Sequence, residues 1–277
     1  MSGGIFAIRR DYLIELGGYD EGMTQWGGEN IEMSLRVWQC GGRIEMVPCS
    51  RVAHYFRTPG EQPYLADLTE VGRNLKRVAL VWLDDHIEKF YEQFKLGNVN
   101  IQSVDAGDVT DRIALRRRLQ CHSMDWYVEN VYPELRPRVT TTEAAGTALQ
   151  HVLNQTMVHS PSTRHPKCAE NDKDVPEAMT VSIVIPYFQE RVEHIYLTVK
   201  SLLHYTPLDV VKEIIFVDDA NPASRRYAEY LQELHAKIRV VSNPERLGPA
   251  GSKSVGAEHA AGDVLVFLEP HCLFQTG

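Results

Sequence analysis

The chain has 277 residues, of which 43% are apolar, so it is long enough for one large or two small domains with packed cores. Its formal charge of −8 argues against nucleic acid as the main partner. No apolar run reaches the roughly 18 residues that a transmembrane helix needs, and residues 1–6 look like the start of a buried strand rather than a signal peptide. Composition therefore fits an enzyme or a protein with an acidic surface.

The first block of the chain, residues 1–136, alternates strands and helices. Apolar residues three or four positions apart predict one buried face on each longer helix. These residues are Ile31, Leu35 and Trp38 in the helix after Gly28, and Leu75, Val78, Val81 and Trp82 in a later helix. The expected elements, in chain order, are a strand (4–8), a helix that ends at Gly17–Gly18, the helix after Gly28, a strand (44–47) and a long helical stretch (65–94).

The second block, residues 179–277, follows a less regular stretch from about His122 to Met179, in which one short helix is expected near 148–152. Its first strand is the β-branched run 181–186, which is typical of a strand buried on both faces. The further expected strands are 213–219, 238–241 and 264–269, separated by helices over 192–204, 227–234 and 250–261. This alternation predicts a parallel sheet with ligands at the carboxyl ends of its strands. The polar residues at such ends are Asp218, Asp219, Glu269 and His271.

The turn from Trp26 to Asn30 combines an aromatic ring, two glycines, a carboxylate and an amide. Glycines let a backbone pass close to a ligand, and the helix that follows begins with free N–H groups. The turn can therefore hold a sugar and its leaving phosphate. It can equally cap a buried amphipathic helix, and the pattern by itself does not separate these two interpretations.

Together with several other motifs, this turn resembles the signature of the polypeptide N-acetylgalactosaminyltransferases, which start mucin-type O-glycans on Ser and Thr. In the first block the resemblance is carried by residues 26–42, 49–57, 81–85 and 119–121. Ser162 to His165, followed by Cys168, resembles the segment that leads into the family's catalytic domain. Phe267 to Cys272 stands where the family has its metal-binding Asp-x-His.

The resemblance implies an α/β fold of the GT-A type, with a Rossmann-like, mostly parallel sheet, present as two partial halves in permuted order. Residues 1–136 resemble the C-terminal portion of the catalytic domain, residues 137–178 a linker, and residues 179–277 the N-terminal, nucleotide-sugar-binding portion, which stops after the metal motif. Two explanations stay open. The chain can be a piece spanning two adjacent transferase units, which the missing central part favours, or a circularly permuted domain that folds on itself.

The resemblance also implies the residues of the site. A carboxylate and two imidazoles suit Mn²⁺, and the implied metal ligands are Glu269, His271 and His54. The implied donor-binding residues are Asp218, Asp219, Arg57 and Tyr64, and the implied catalytic residues near the sugar are Glu29, Asn30 and Trp26. From the residues alone, the two aspartates can instead stabilise a helix N-terminus, His54 can be a surface or capping histidine, and Trp26 can belong to the core.

The implied reaction is retaining transfer of GalNAc from UDP-GalNAc to Ser or Thr of a polypeptide, with Mn²⁺ acting as a Lewis acid on the departing phosphate. Three departures from the family pattern weaken this activity. Glu269 replaces an Asp, Pro186-Tyr-Phe-Gln-Glu190 replaces Thr-Phe-His-Asn-Glu, and Gly251-Ser252 replaces Arg-Ser. Because the central segment is missing and the exit of the first strand is altered, we expect the chain alone to be inactive or nearly so. The alternatives are a catalytically dead binding or structural module and a related transferase for a different sugar donor.

The five cysteines include no CxxC pair, which argues against a zinc site. They would be separate thiols in a reducing compartment and could pair in the secretory pathway. The resemblance implies disulfides Cys40–Cys121 and Cys49–Cys168, a free Cys272, and a location in the Golgi lumen or elsewhere in the secretory pathway. The sequon that begins at Asn154 agrees with a lumenal setting.

Overall fold

The computed structural model describes residues 4–47, 49–55, 66–135 and 179–274. The strands are β1 (Ile5–Arg9), β2 (Val52–His54), β3 (Val181–Tyr187), β4 (Val211–Asp218), β5 (Ile238–Ser242), β6 (Val264–Leu268) and β7 (Cys272–Phe274). The α-helices are α1 (Arg10–Glu15), α2 (Glu29–Gln39), α3 (Leu68–Trp82), α4 (Ile87–Gln93), α5 (Thr110–Arg118), α6 (Met124–Asn130), α7 (Val192–Tyr205), α8 (Ala228–Leu234) and α9 (Gly248–His259). None of the helices within the described ranges is long and apolar enough to cross a bilayer.

The main sheet has five strands in the order β1-β6-β3-β4-β5. Strands β3 to β6 all come from the second block and run parallel, which confirms the predicted parallel sheet. Strand β1, from the first block, adds an antiparallel edge to β6, with Ile5 opposite Leu268. A smaller sheet pairs β2 of the first block with β7 of the second, with His54 opposite Cys272. The α/β class is confirmed, and the two blocks share both sheets.

The two faces of the main sheet carry separate apolar clusters. On one face Val184 of β3 belongs to a cluster that includes Trp82 of the first block. On the other face Ile185, the next residue, packs in a cluster with Ile195 of α7. Successive side chains of a strand point to opposite faces, so a strand covered on both sides must be apolar at nearly every position. The first block and α9 of the second block therefore cover one face of the main sheet together.

The buried face of α2 differs from the predicted one. Ile31 is 50% exposed, so its predicted place on the buried face was wrong. Glu32 and Arg36 are buried instead and form a salt bridge of 2.8 Å. The indole N–H of Trp82 also donates to Glu32, at 3.1 Å. Buried charges persist when they are paired and hydrogen-bonded, and this pair turns the polar residues of α2 inward.

Two other elements of the first block were predicted wrongly. Residues 44–47 form no strand. The strand of this region is β2, a three-residue element held by its pairing with β7. The helical stretch predicted over 65–94 is divided, because α3 ends at Trp82 and Asp84 adopts a positive φ of 48° before α4 begins.

The segment after Cys121 was predicted to be irregular, and this was wrong for its first residues. Helix α6 begins after Ser123, whose hydroxyl accepts a hydrogen bond from the N–H of Trp126 at 3.2 Å. That hydroxyl is a standard N-cap and satisfies one of the free N–H groups at the helix start. The short helix predicted near 148–152 lies outside the described residues.

The disulfide between Cys40 and Cys121 is present, as predicted. Cys49 is also disulfide-bonded, and its predicted pairing with Cys168 lies outside the described residues. Cys272 is free, as predicted, and it is buried. The bridge between Cys40 and Cys121 ties the end of α2 to the turn that precedes α6.

Candidate functional site

A cleft of about 200 Å³ opens at the carboxyl ends of the parallel strands. Parallel α/β sheets bind their ligands at this edge. Trp26 and Glu29 of the first block line part of the cleft, and residues of the second block line the rest. The second-block residues are Pro186, Tyr187, Phe188, Glu190, Asp219, Arg246, Gly248, Pro249, Ser252, Lys253, Leu268, Glu269, Pro270 and His271.

Three side chains with metal-binding atoms meet beside this cleft, and two of them, Glu269 and His271, line it. The Glu269 Oε2 atom lies 2.5 Å from His54 Nε2 and 2.9 Å from His271 Nε2. The two Nε2 atoms are 3.1 Å apart. Glu269 directly follows β6, and His271 directly precedes β7. His54 ends β2, so the pairing of β2 with β7 brings it beside His271.

Glu269 is held as an anion. Burial raises its pKa, but hydrogen bonds from His271 and His54 outweigh burial and hold the pKa well below its ordinary value. One carboxylate oxygen and two imidazole nitrogens thus lie within 4.8 Å of one another. Adjacent ligands of an octahedral ion with bonds of about 2.1 Å stand about 3 Å apart, and mixed oxygen and imidazole ligation suits first-row divalent ions. The three residues therefore fit a divalent cation such as Mn²⁺.

Gly4 makes room for the Glu269 side chain. It lies just before β1, and its carbonyl accepts a hydrogen bond from the Glu269 N–H at 3.0 Å. A Cβ atom at position 4 would lie 2.7 Å from Glu269 Oε1, closer than real Cβ contacts allow. The missing side chain at Gly4 thus leaves space for the carboxylate where the family pattern has the shorter Asp.

The turn that carries Trp26 is built on left-handed backbone. Gly27 and Gly28 have φ values of 109° and 94°, which favour glycine strongly. The side chain of Asn74 fixes the turn by donating to the Gly27 carbonyl at 2.8 Å. Trp26 is 52% exposed at the cleft, so the alternative of a core tryptophan does not hold.

Glu29 begins α2 and is buried at the cleft. It is 3% exposed, and its carboxylate accepts hydrogen bonds of 3.0 Å from the Gly27 N–H and of 3.0 Å from the Asn30 side-chain amide. These contacts hold the carboxylate at the helix N-terminus, where the helix dipole favours negative charge. Glu29 and Trp26 thus line the cleft, and Asn30 is hydrogen-bonded to Glu29 without lining the cleft itself. The catalytic roles of these three residues stay predictions.

The two aspartates after β4 lie in different surroundings. Asp218 is 1% exposed and accepts hydrogen bonds from the Tyr187 hydroxyl at 3.0 Å and from the Asn221 N–H at 2.8 Å. Asp219 lines the cleft and accepts from the N–H groups of Leu247 and Gly248 at 2.8 and 2.9 Å, so it caps the start of α9. Asp219 therefore both caps the helix N-terminus and lines the cleft. Asp218 is not among the residues that line the cleft.

Two cationic residues of the cleft were missed by sequence reasoning. Lys253, on α9, is 5% exposed; burial lowers the pKa of its ammonium group, while the carboxylates of Glu29 and Glu269 act to raise it. The Arg246 guanidinium lies 4.0 Å from the ring centre of Phe188. Lys253 could have been noticed from the sequence, because it is the only lysine among the small residues of α9. Arg57 and Tyr64 lie outside the described residues.

Comparisons with known proteins match both blocks. The model of glycosyl transferase family 2 matches residues 182–277, and a model described as the N-terminal domain of galactosyltransferase matches residues 1–60. Polypeptide N-acetylgalactosaminyltransferase 4 of Caenorhabditis elegans is 50% identical over 143 residues, which are 50% of this chain and 23% of that protein. The chain is related to the polypeptide N-acetylgalactosaminyltransferases.

Polypeptide N-acetylgalactosaminyltransferase 5 of Mus musculus is 45% identical over 157 residues, 56% of this chain and 16% of that protein. The chain thus spans about a fifth of the length of these N-acetylgalactosaminyltransferases. A crystal structure of GalNAc-T7 with UDP, GalNAc and Mn²⁺ is 29% identical, with a TM-score of 0.33 over 35% of this chain and 19% of that one. In the sequence of the chain itself, the galactosyltransferase match (residues 1–60) precedes the glycosyl transferase family 2 match (residues 182–277).

Proposed function

We propose that the chain forms the donor site of a GT-A polypeptide N-acetylgalactosaminyltransferase. The reaction of that site would be retaining transfer of GalNAc from UDP-GalNAc to a Ser or Thr hydroxyl of a polypeptide. The observation that carries the proposal is the convergence of His54, Glu269 and His271 beside a cleft at the carboxyl ends of parallel strands. The relatives named above supply the sugar and the acceptor, since their names state both.

His54, Glu269 and His271 would hold Mn²⁺, which would neutralise charge that develops on the diphosphate leaving group. The buried Lys253 ammonium lies in the same cleft and can pair with phosphate oxygens. Glu29 lines the cleft and can orient a sugar hydroxyl, while Trp26 can cover the donor. Arg57, Tyr64, Asp218 and Asp219 remain proposed donor-binding residues, and Asn30 a proposed catalytic one.

We infer that residues 1–136 and 179–277 act as one catalytic unit in permuted order. Support comes from the edge pairing of β1 with β6 and from the pairing of β2 with β7, each of which joins the two blocks. The apolar cluster on one face of the sheet also contains residues of both blocks. This arrangement favours the permuted domain over a piece of two independent units, because each block supplies ligands to the same triad.

We also propose that the protein works in the secretory pathway, with the Golgi lumen as the specific location. The bridge between Cys40 and Cys121 supports an oxidising compartment, because disulfides persist there and are rare in the cytosol.

Isothermal titration of the purified chain with UDP, in the presence and absence of Mn²⁺, tests the donor site. We expect UDP to bind only with Mn²⁺, and the His54→Ala variant to lose that binding. Transfer to a mucin-type peptide should be slow, because Pro186 and Phe188 replace polar residues of the family pattern. Fast Mn²⁺-dependent transfer would contradict that last expectation. Absence of Mn²⁺-dependent UDP binding would favour a catalytically dead module instead.

A related transferase with a different donor is a second candidate. The stacked pair of Arg246 and Phe188 favours it, because this pair lines the cleft where the family pattern has a histidine at position 188. A panel of UDP-sugars and GDP-sugars separates the two candidates by the rate of sugar release. Preference for UDP-GalNAc supports the first, and preference for another donor supports the second.

A further inference from the structure

Glu190 is a buried carboxylate that contacts two imidazoles at once. It is 2% exposed and lies between β3 and α7. Its Oε2 atom is 3.0 Å from His271 Nδ1, and its Oε1 atom is 2.9 Å from His194 Nδ1. The N–H of Arg191 also donates to Oε1, at 3.0 Å. Three nitrogen atoms therefore contact the two oxygens of this buried carboxylate, and both oxygens act as hydrogen-bond acceptors.

The contact with His271 determines which nitrogen that ring presents to the triad. A carboxylate accepts hydrogen bonds, so His271 must carry a proton on Nδ1 to bond to Glu190. Its Nε2 atom then faces Glu269 and His54, at 2.9 and 3.1 Å. Carboxylates that bond to the far nitrogen of a metal-binding histidine fix its tautomer and ring orientation. Glu190 stands in that position relative to His271.

The contact with His194 extends the same support to the first block. The His194 ring packs against Tyr55, with ring centres 5.0 Å apart. Tyr55 directly follows His54, and its N–H donates to the His271 carbonyl at 3.0 Å. One carboxylate therefore orients a triad histidine of the second block and, through His194, braces the neighbour of the triad histidine of the first.

The backbone around His271 has a separate anchor. The Thr198 hydroxyl donates to the Pro270 carbonyl at 2.9 Å and accepts from the Cys272 N–H at 3.0 Å. These two bonds hold the turn between β6 and β7 without help from Glu190. A change of the Glu190 side chain should consequently reorient the His271 ring and leave the turn in place.

We propose that Glu190 is a positioning residue of the metal site, which holds His271 with Nε2 directed at the cation and steadies the segment that carries His54. The proposal rests on the function proposed above, in that the triad binds Mn²⁺. Glutamine at position 190 has the same size but offers one acceptor oxygen, so it cannot accept from both imidazoles. One of the two Nδ1 atoms then faces the amide NH₂ group, which is a donor, so that imidazole must either move its proton from Nδ1 to Nε2 or lose the bond.

The test uses the full chain and measures Mn²⁺ affinity from the electron paramagnetic resonance signal of free Mn²⁺. We expect Glu190→Gln to weaken the affinity about 10- to 100-fold, the usual range for partners of metal-binding histidines. The matched control is Glu193→Gln, since Glu193 lies on α7 with a side chain that is 65% exposed. It should bind Mn²⁺ like the unchanged chain. Thermal unfolding in EDTA should be similar for all three proteins.

Long-range ¹H–¹⁵N spectra of the metal-free chain give a second readout. The ¹⁵N shifts of the His271 ring should show a changed tautomer or a lost Nδ1 hydrogen bond in Glu190→Gln and an unchanged ring in Glu193→Gln. A merely structural role of Glu190 would leave the tautomer and this bond of His271 unchanged. If Glu190→Gln fails to fold, Glu190→Asp replaces it, because the shorter side chain cannot reach both imidazoles and should show the same loss. Equal affinity of the variant and the unchanged chain overturns the positioning role alone. Failure of the unchanged chain to bind Mn²⁺ overturns the proposed function as well.

Discussion

Substitution of Gly4 by alanine tests whether the space left at this position determines the geometry of the proposed metal site. The new Cβ would lie 2.7 Å from Glu269 Oε1 and 2.8 Å from Glu269 Cδ, whereas ordinary contacts begin at 3.4 Å. The carboxylate would have to withdraw by about 0.7 Å, the difference between the first and last of these distances. Because the displaced atoms are the far end of a flexible side chain, the fold itself should lose little stability.

A binding site of this kind tolerates displacements of about 0.5 Å, so a shift of about 0.7 Å exceeds what the triad can absorb. We expect Gly4→Ala to weaken Mn²⁺ affinity roughly 10- to 100-fold, the range seen when the support of a metal ligand is altered. This corresponds to about 1.4 to 2.7 kcal/mol of binding free energy. The assay is again the signal of free Mn²⁺, with thermal unfolding in EDTA as the measure of fold stability.

A double-mutant cycle with Glu269→Asp shows whether the loss arises from this contact. The shorter aspartate withdraws its oxygens from position 4, so Gly4→Ala should cost less affinity when combined with Glu269→Asp than in the unchanged chain. Gly41→Ala is the control, since Gly41 has a φ of 86° and a Cβ added there would meet no atom within 4 Å. It should lower the unfolding temperature and leave Mn²⁺ affinity unchanged. An equal loss in both backgrounds would refute the reasoning.

Two further predictions concern the fold. Phe216→Ala removes a fully buried ring of the second block, at a cost of about 3–5 kcal/mol of unfolding free energy. All four tryptophans lie in the first block, so if the two blocks unfold as one cooperative unit, tryptophan fluorescence should report an unfolding temperature lower by roughly 6–20 °C. An unchanged tryptophan transition would mean that the blocks unfold separately. Burial raises the pKa of Glu213, but hydrogen bonds from the Ala261 N–H and from Arg239, among others, outweigh it and lower the pKa below the ordinary 4.5. Its stabilising effect is therefore present above that ordinary value and lost as pH falls through the folded-state pKa, so Glu213→Gln should reduce the acid sensitivity of urea unfolding, and unchanged sensitivity would contradict this.

The second block was predictable because its pattern is local. Residues 181–186 are apolar at nearly every position, and only a strand with both faces covered needs that pattern. The first block was harder because long-range contacts decide its structure. Strand β2 has only three residues and is stabilised by its pairing with β7. Ile31 is exposed because the buried ion pair of Glu32 and Arg36 occupies the inner face of α2. Apolar periodicity carries no information about such a pair.

The residues of the candidate site also divide into those that a local pattern indicates and those that only long-range contacts reveal. Glu269 and His271 could be placed from the end of a strand, whereas His54 needed the family resemblance, because nothing in its own segment indicates a ligand. Gly4 and Glu190 were not identified as parts of the site at all. Their relevance lies in contacts with residues far along the chain, and a sequence read in one direction does not show which side chains meet.

The positions of β1 and β2 explain how the proposed permuted order of segments is compatible with the convergence of His54, Glu269 and His271. Without β1 the second block would expose an edge of β6, and without β2 it would leave β7 unpaired, which are costly states for strands. The same two pairings bring His54 to Glu269 across 215 positions of sequence. Strand pairing therefore completes the sheet and also brings the three proposed metal ligands together. The order in which a chain supplies its strands does not enter that geometry, because hydrogen bonds at a sheet edge depend on which strands are adjacent in space.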